Sequence, residues 1–287
     1  NVGKSCLRLK MKNKILFIGT VRMWGINLHE IESLNKGKNP DYFKNISLSK
    51  RIFATEHLNK VIKDNDYIFL AVPSKALKEA TQKIVSQINN SPIFINLAKV
   101  KKKPTIVDVV SQDLTIATKV SNLFLNSLYF KAIPLNDEIG VEICGALKNL
   151  LAIGTGIAQE NHSSINTISA ILTQGIKEIK EIILLKGGQE LTILNLSGIG
   201  DMFLTCTSKQ SRNFSFGKNL YRKNFKIIKQ TQLTTIEGYT VYPIVASIIK
   251  DNNLIAPILE SICEVLSQSL SPKDFVKTVI FKIDTSI

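Results

Sequence analysis

Apolar positions in the first half of the chain fall in short blocks of strand length, whereas in the second half they recur at helical spacing. The blocks predict buried strands at Lys14–Thr20, Tyr67–Val72 and Ile93–Ala98, with shorter ones at Arg51–Thr55, Thr105–Val110 and Leu128–Ile133. Helices are predicted between them at Trp24–Ser33, Glu56–Lys63, Lys75–Ile88 and Leu114–Phe124, the first broken by the run from Leu34 to Pro40. Strands alternating with helices imply a parallel sheet with crossover helices. From about Asp137 onward the period is helical throughout, over Glu138–Glu160, Ser164–Lys186, Glu190–Leu196, Asp201–Thr207, Phe216–Arg222, Pro243–Asp251, Ala256–Ser267 and Lys273–Phe281. The expected architecture is an α/β, Rossmann-type domain over 1–136 followed by an all-α domain over 137–287.

One residue breaks the pattern of the longest predicted helix. Ile143, Leu147, Leu150, Leu151 and Gly154 form an apolar stripe, and Lys148 points about 100° from its centre on a helical wheel. Its own face carries the small residues Cys144, Gly145, Ala152 and Thr155, which would let a ligand approach. A half-buried ammonium there is a candidate for proton transfer; the plainer reading is a lysine snorkelling from a core helix to water.

Composition narrows the function classes. At 287 residues and 44% hydrophobic, the chain can bury a core of two ordinary domains. The apolar runs are of strand length, short of the roughly 18 to 20 residues of a membrane span, and the first is too short for a secretory signal, so a cytoplasmic protein without membrane insertion is expected. Four cysteines, widely spaced, and three histidines suggest neither a disulfide framework nor a metal site. The formal charge of +14 raises a nucleic-acid reading, helped by the basic runs Lys99–Lys103 and Arg222–Lys229. Aromatic residues are not interleaved with them as stacking platforms, so no nucleic-acid partner is expected; an attraction for small anions remains.

Several segments carry candidate chemistry. A glycine turn for a pyrophosphate is expected after the first strand, where the chain reads Ile18-Gly-Thr-Val-Arg-Met-Trp-Gly25. Asp201 follows the glycine turn Ser197–Gly200 at a predicted helix N-cap, for which capping alone is an adequate role. Ser211-Arg212-Asn213 groups a hydroxyl, a guanidinium fork and an amide, donors suited to phosphate. Asn1-Val-Gly-Lys-Ser5 matches only the tail of a phosphate loop and is read as a chance match.

Taken in order, Ala71–Ser74, Gly140–Asn149, Ser197–Thr207, Ser211–Asn213 with Gly217, and Ile236–Gly238 resemble the NAD(P)-dependent glycerol-3-phosphate dehydrogenases. The resemblance implies reversible hydride transfer between NAD or NADP and dihydroxyacetone phosphate, giving glycerol 3-phosphate for phospholipid synthesis. It implies that Lys148 is the catalytic lysine and that Asp201 stands beside it, orienting substrate. Lys99, Ser211, Arg212 and Asn213 fall on substrate-contacting positions. Gly19, Met23, Trp24, Gly25, Thr235 and Glu237 fall on cofactor positions, with Lys99 and Arg212 reaching both ligands. Metal is not implied, and a homodimer is left open.

Departures from the family pattern are read at three places. Thr20-Val21-Arg22 stands where the glycine pair should precede Trp-Gly. The second strand and its cofactor-selecting arginine are read as absent between Leu28 and Glu30, and a Gly-Pro-Ser/Thr loop with its strand as absent between Lys103 and Pro104. These losses define one alternative, a degenerate, non-catalytic family member; the positive charge leaves a second, a basic phosphate-compound or nucleic-acid binder.

Overall fold

The computed structural model describes residues 5–6, 21–39, 47–63, 65–71, 74–88, 92–96, 105–124, 130–222 and 236–283. Contacts divide the chain into two compact units, Asn1–Ile106 with Thr118–Ala132, and Val107–Ala117 with Ile133–Ile287.

The first unit is built on a parallel sheet of five strands: β1 (Ser5–Cys6), β2 (Val21–Trp24), β3 (Ile52–Thr55), β4 (Tyr67–Leu70) and β5 (Ile93–Asn96), in the order β3-β2-β1-β4-β5. This is the order of a doubly wound dinucleotide-binding sheet. Helices α1 (Leu28–Asn35), α2 (Asn59–Ile62) and α3 (Ser74–Val85) separate the strands from β2 onward. Tyr-Ile-Phe-Leu in β4 is apolar without alternation because Ile68, Phe69 and Leu70 are all buried, as a strand covered on both faces requires. Ile62, Ile68, Leu70 and Ile84 form the local core.

Two expectations change here. Trp24 is not the start of a helix: Val21–Trp24 is a strand in register with Ile52–Thr55, and Gly25 extends the ladder by donating to the Thr55 carbonyl at 3.1 Å. The helix begins only at Leu28, where the Asn27 side chain accepts from Glu30 N at 3.3 Å. The glycine turn expected up to Gly25 is thus strand over Val21–Trp24; this strand precedes α1, so it is not the one expected to be absent between Leu28 and Glu30, where α1 runs unbroken and the next strand is β3. Four residues are too few for periodicity to separate strand from helix, and Trp-Gly resembled a glycine turn. The predicted strand Lys14–Thr20 lies outside the described residues, as does the junction at Lys103–Pro104.

β6 (Thr105–Val110) and β7 (Phe130–Leu135) form a separate two-stranded sheet rather than extending the parallel one, with α4 (Leu114–Asn122) between them in sequence.

The second unit is helical: α5 (Glu138–Glu160), α6 (Ile165–Leu185), a 3₁₀ turn (Glu190–Leu194), a π turn (Leu196–Gly200), α7 (Asp201–Thr207), α8 (Arg212–Arg222), α9 (Glu237–Asp251), α10 (Pro257–Leu266) and α11 (Phe275–Lys282). Pro243, read as a helix start, lies inside α9. α5 is the central element. Its apolar stripe widens until every residue from Asn149 to Ala158 is buried, against Ile179 and Ile183 of α6, Phe214 of α8, Val245 of α9 and Ile262 of α10. α5 is long and apolar enough to cross a membrane by length and composition, but these surroundings are those of a core helix.

Asp137 sets where α5 begins. One carboxylate oxygen accepts from Gly140 N at 2.9 Å; the other accepts from Gln189 N at 2.8 Å and the Thr192 hydroxyl at 2.5 Å. Burial works to raise the Asp137 pKa, yet the Thr192, Gly140 and Gln189 donors outweigh it and hold the carboxyl below its ordinary range. One side chain thus caps the core helix and ties it to the 3₁₀ turn.

Candidate active site

Lys148 lies about three turns into α5, directly before its fully buried stretch, with its side chain 21% exposed, and its ammonium donates to Asp201 Oδ2. Asp201 is the first residue of α7; its N-cap is Gly200, and no side chain caps the helix. The expected capping role is therefore corrected: the Asp201 carboxylate turns away from its own helix to the lysine of another.

The small-residue face around Lys148 is only partly open: a Cβ on Gly145 would meet nothing within 4 Å, but the rest of the face is covered. Cys144, Ala152 and Thr155 are completely buried, and α7 is pinned to that face. The Thr155 hydroxyl donates to the Cys206 carbonyl at 3.0 Å, and the Cys206 thiol donates to the Lys148 carbonyl at 3.8 Å. Burial pushes both the Cys144 and Cys206 thiols up to about 12, so they remain protonated packing groups rather than nucleophiles. What the small face does is bring α7, and with it Asp201, close enough to reach Lys148.

Beside the lysine, Asn149 is a hub. Its Nδ2 donates to Glu237 Oε2 at 3.1 Å, and its Oδ1 accepts from Asn213 Nδ2 at 2.9 Å. Asn213 in turn accepts from Gly238 N at 2.9 Å, so its buried amide is engaged at both ends and braces α5, α8 and α9. Arg212 Nη2 reaches Glu237 Oε1 at 3.3 Å, and both side chains are more than half exposed. The pair is a surface ion pair of small energetic weight, leaving a solvent-facing guanidinium free to bind an anion. Ser211 accepts from Phe214 N at 3.2 Å and starts α8. α9 can approach this closely because residue 238 is glycine: a Cβ there would lie 2.7 Å from the Asn149 carbonyl oxygen.

The structure thus links Lys148, Asp201, Arg212, Asn213 and Glu237 within the helical unit. Sequence reasoning passed over Asn149, although a polar residue inside an apolar helix was a usable signal, because buried polar groups require partners. Met23, Trp24 and Gly25 lie in the other unit at the carboxyl end of β2. There they line a shallow cleft with Asn27, Glu30 and Ile31. In doubly wound sheets that strand end faces the cofactor ribose. A Cβ on Gly25 would meet only Ile31 Cγ1, at 3.9 Å, so the cleft floor is open. The sheet order is that of a dinucleotide-binding fold. Gly19, Lys99 and Thr235 lie outside the described residues.

Comparisons with known proteins agree with this geometry. Residues 8–124 match the family model for the NAD-dependent glycerol-3-phosphate dehydrogenase N-terminus, and residues 137–277 match the model for its C-terminus. A glycerol-3-phosphate dehydrogenase (NAD(P)+) of Malacoplasma penetrans is 38% identical over 300 residues, covering 90% of this chain and 88% of that protein. Two solved structures share the fold. Glycerol-3-phosphate dehydrogenase of Coxiella burnetii has a TM-score of 0.72 at 24% identity, covering 91% of each chain. That of Plasmodium falciparum has a TM-score of 0.76 at 22% identity, covering 95% of this chain and 88% of the other. With both family models matched in order and a relative aligned over most of its length, the chain belongs to the NAD-dependent glycerol-3-phosphate dehydrogenase family.

Proposed function

We propose that this chain is a glycerol-3-phosphate dehydrogenase that reduces dihydroxyacetone phosphate reversibly to glycerol 3-phosphate. The observation that carries the reading is the Lys148–Asp201 pair, an ammonium held by a carboxylate on a half-buried helix face. Residues 1–136 serve as the dinucleotide-binding domain and 137–287 as the substrate domain. When bound, NAD or NADP supplies or accepts the hydride at the substrate's carbonyl carbon.

The residues of the chain do the remaining work. Lys148 Nζ donates a proton to the carbonyl oxygen as reduction proceeds and takes it back in the reverse direction; its charge stabilises the developing alkoxide. Asp201 keeps the ammonium aimed and orients the substrate hydroxyl. Arg212 offers a guanidinium fork to the phosphate or the cofactor, with Ser211 and Asn213 shaping that end of the site. Glu237 restrains Arg212, and Met23, Trp24 and Gly25, within the first unit, are assigned to cofactor binding. Lys99, Gly19 and Thr235 are assigned to the site by family position alone.

The test is oxidation of NADH and of NADPH by the purified chain with dihydroxyacetone phosphate, beside Lys148→Ala. A rate with either cofactor that vanishes in the variant supports the proposal. No lysine-dependent rate with either one sinks it.

A further inference from the structure

Asp201 reaches Lys148 only if the turn in front of it is held in place, and the packing of that turn is unusual. Leu196 and Ile199 are exposed by 37% and 42%, so apolar burial does not fix the segment between the 3₁₀ turn and α7. Met202 and Cys206 anchor α7 from behind. In front, two contacts hold the π turn. Gly198 has backbone angles outside the helical region, and a Cβ there would lie 2.2 Å from the Ile193 carbonyl oxygen. The second contact comes from a distant strand. Asp108 Oδ2 accepts from Ser197 N at 2.7 Å and from the Ser197 hydroxyl at 2.6 Å.

A carboxylate inside the otherwise apolar run Ile106–Val110 has no packing purpose of its own. Here it satisfies an amide and a hydroxyl at the first residues of the π turn, four positions before Asp201. Charge-assisted bonds of this kind are short and directional. The clamp also sits beside the lysine's helix: Asp108, Asp201 and Lys148 all act electrostatically on Cys144, one turn before Lys148.

We propose that Asp108 is a positioning residue, clamping Ser197 so that the π turn presents the Asp201 carboxylate to Lys148. The inference rests on the dehydrogenase reading for its kinetic consequence but not for its geometric one. Misplacing a supporting group by a fraction of an ångström is enough to slow chemistry substantially.

The experiment compares wild type, Asp108→Asn, Asp108→Ala and Ser197→Ala. Steady-state rates are measured with NADH and dihydroxyacetone phosphate, at temperatures where each variant is shown to be folded. In parallel, trinitrobenzenesulfonate modification of Lys148 is followed by peptide mass spectrometry. Asp108→Ala is expected to lower kcat by about tenfold or more while KM for dihydroxyacetone phosphate changes by less than about threefold. Lys148 should then be modified several-fold faster, because its amine is no longer engaged by the Asp201 carboxylate. Asp108→Asn keeps an acceptor oxygen and should retain most of the rate, and Ser197→Ala, which keeps the amide donor, should fall between. Asp108→Ala with wild-type kcat, Asn as damaging as Ala, or unchanged labelling of Lys148 each overturns the proposal. An inactive wild type would instead count against the dehydrogenase reading, leaving the labelling comparison to judge the clamp.

Discussion

The Lys148 ammonium donates to the Asp201 carboxylate across 53 positions of sequence, joining the middle of the core helix to the first residue of a short one. A half-buried amine facing a carboxylate is held in one orientation and can exchange a proton with a bound carbonyl oxygen. Lys148→Ala is expected to lower kcat by about 10²–10⁴-fold, the usual range for a lost general acid. Asp201→Asn keeps a hydrogen-bond acceptor but no charge and should lose less. Initial rates with NADH and dihydroxyacetone phosphate check both, and a Lys148→Ala enzyme as fast as wild type would remove the lysine from the chemistry.

Asn149 joins three helices through one amide. Asn149→Ala strips Glu237 and Asn213 of a partner at once, and leaving a buried polar group unsatisfied costs about 1–3 kcal/mol. Freed from Asn149, Glu237 should also hold Arg212 less firmly. The expected outcome is a lower urea midpoint together with a raised KM. A variant that is equally stable and equally active would show the hub to be ornamental.

Gly238→Ala tests the close approach of α9 to α5. The added methyl would meet the Asn149 carbonyl oxygen at 2.7 Å, and backbone cannot swing aside as a flexible side chain can. Overpacking of this kind typically costs about 1–3 kcal/mol. A thermal midpoint at or above the wild-type value would refute the constraint.

Glu178 gives the fold a pH dependence. Its carboxylate is 2% exposed and accepts from Ile258 N at 3.0 Å and Leu259 N at 2.9 Å at the start of α10. Burial pushes its pKa up to about 7 from the ordinary 4.5, against the lowering effect of the Leu259, Ile258 and Gln174 donors. Between those values the folded protein keeps a proton that the unfolded chain has released. Stability contributed by this group is therefore full below pH 4.5, falls as pH rises toward 7, and levels off above it. Urea midpoints at pH 5 and pH 8 should show a decline attributable to this residue, roughly a few kcal/mol at most. In Glu178→Gln that part of the decline should vanish; an undiminished slope would place its origin elsewhere.

The order of helices and the isolated lysine of α5 were legible because both are local facts. An amphipathic period shows along consecutive residues, and a lone ammonium in an apolar run stands out without any partner in view. The family resemblance likewise rested on short blocks kept in order. Val21–Trp24 is not legible as a strand because four residues carry almost no period; its identity is set by hydrogen bonds to Ile52–Thr55, which lie beyond a helix and a loop. Asp201 looked like a cap because the sequence shows only the helix behind it.

From the sequence alone came the division into an α/β half and a helical half, and the residues able to carry a proton or grip a phosphate. Only the tertiary structure decided that Asp201 turns to Lys148, that Asn149 braces Glu237 and Asn213, and that Asp108 holds Ser197. The physical reason is range. Periodicity and capping act over a few residues, whereas each of these polar partners is brought within hydrogen-bond reach by the packing of whole helices and strands around α5.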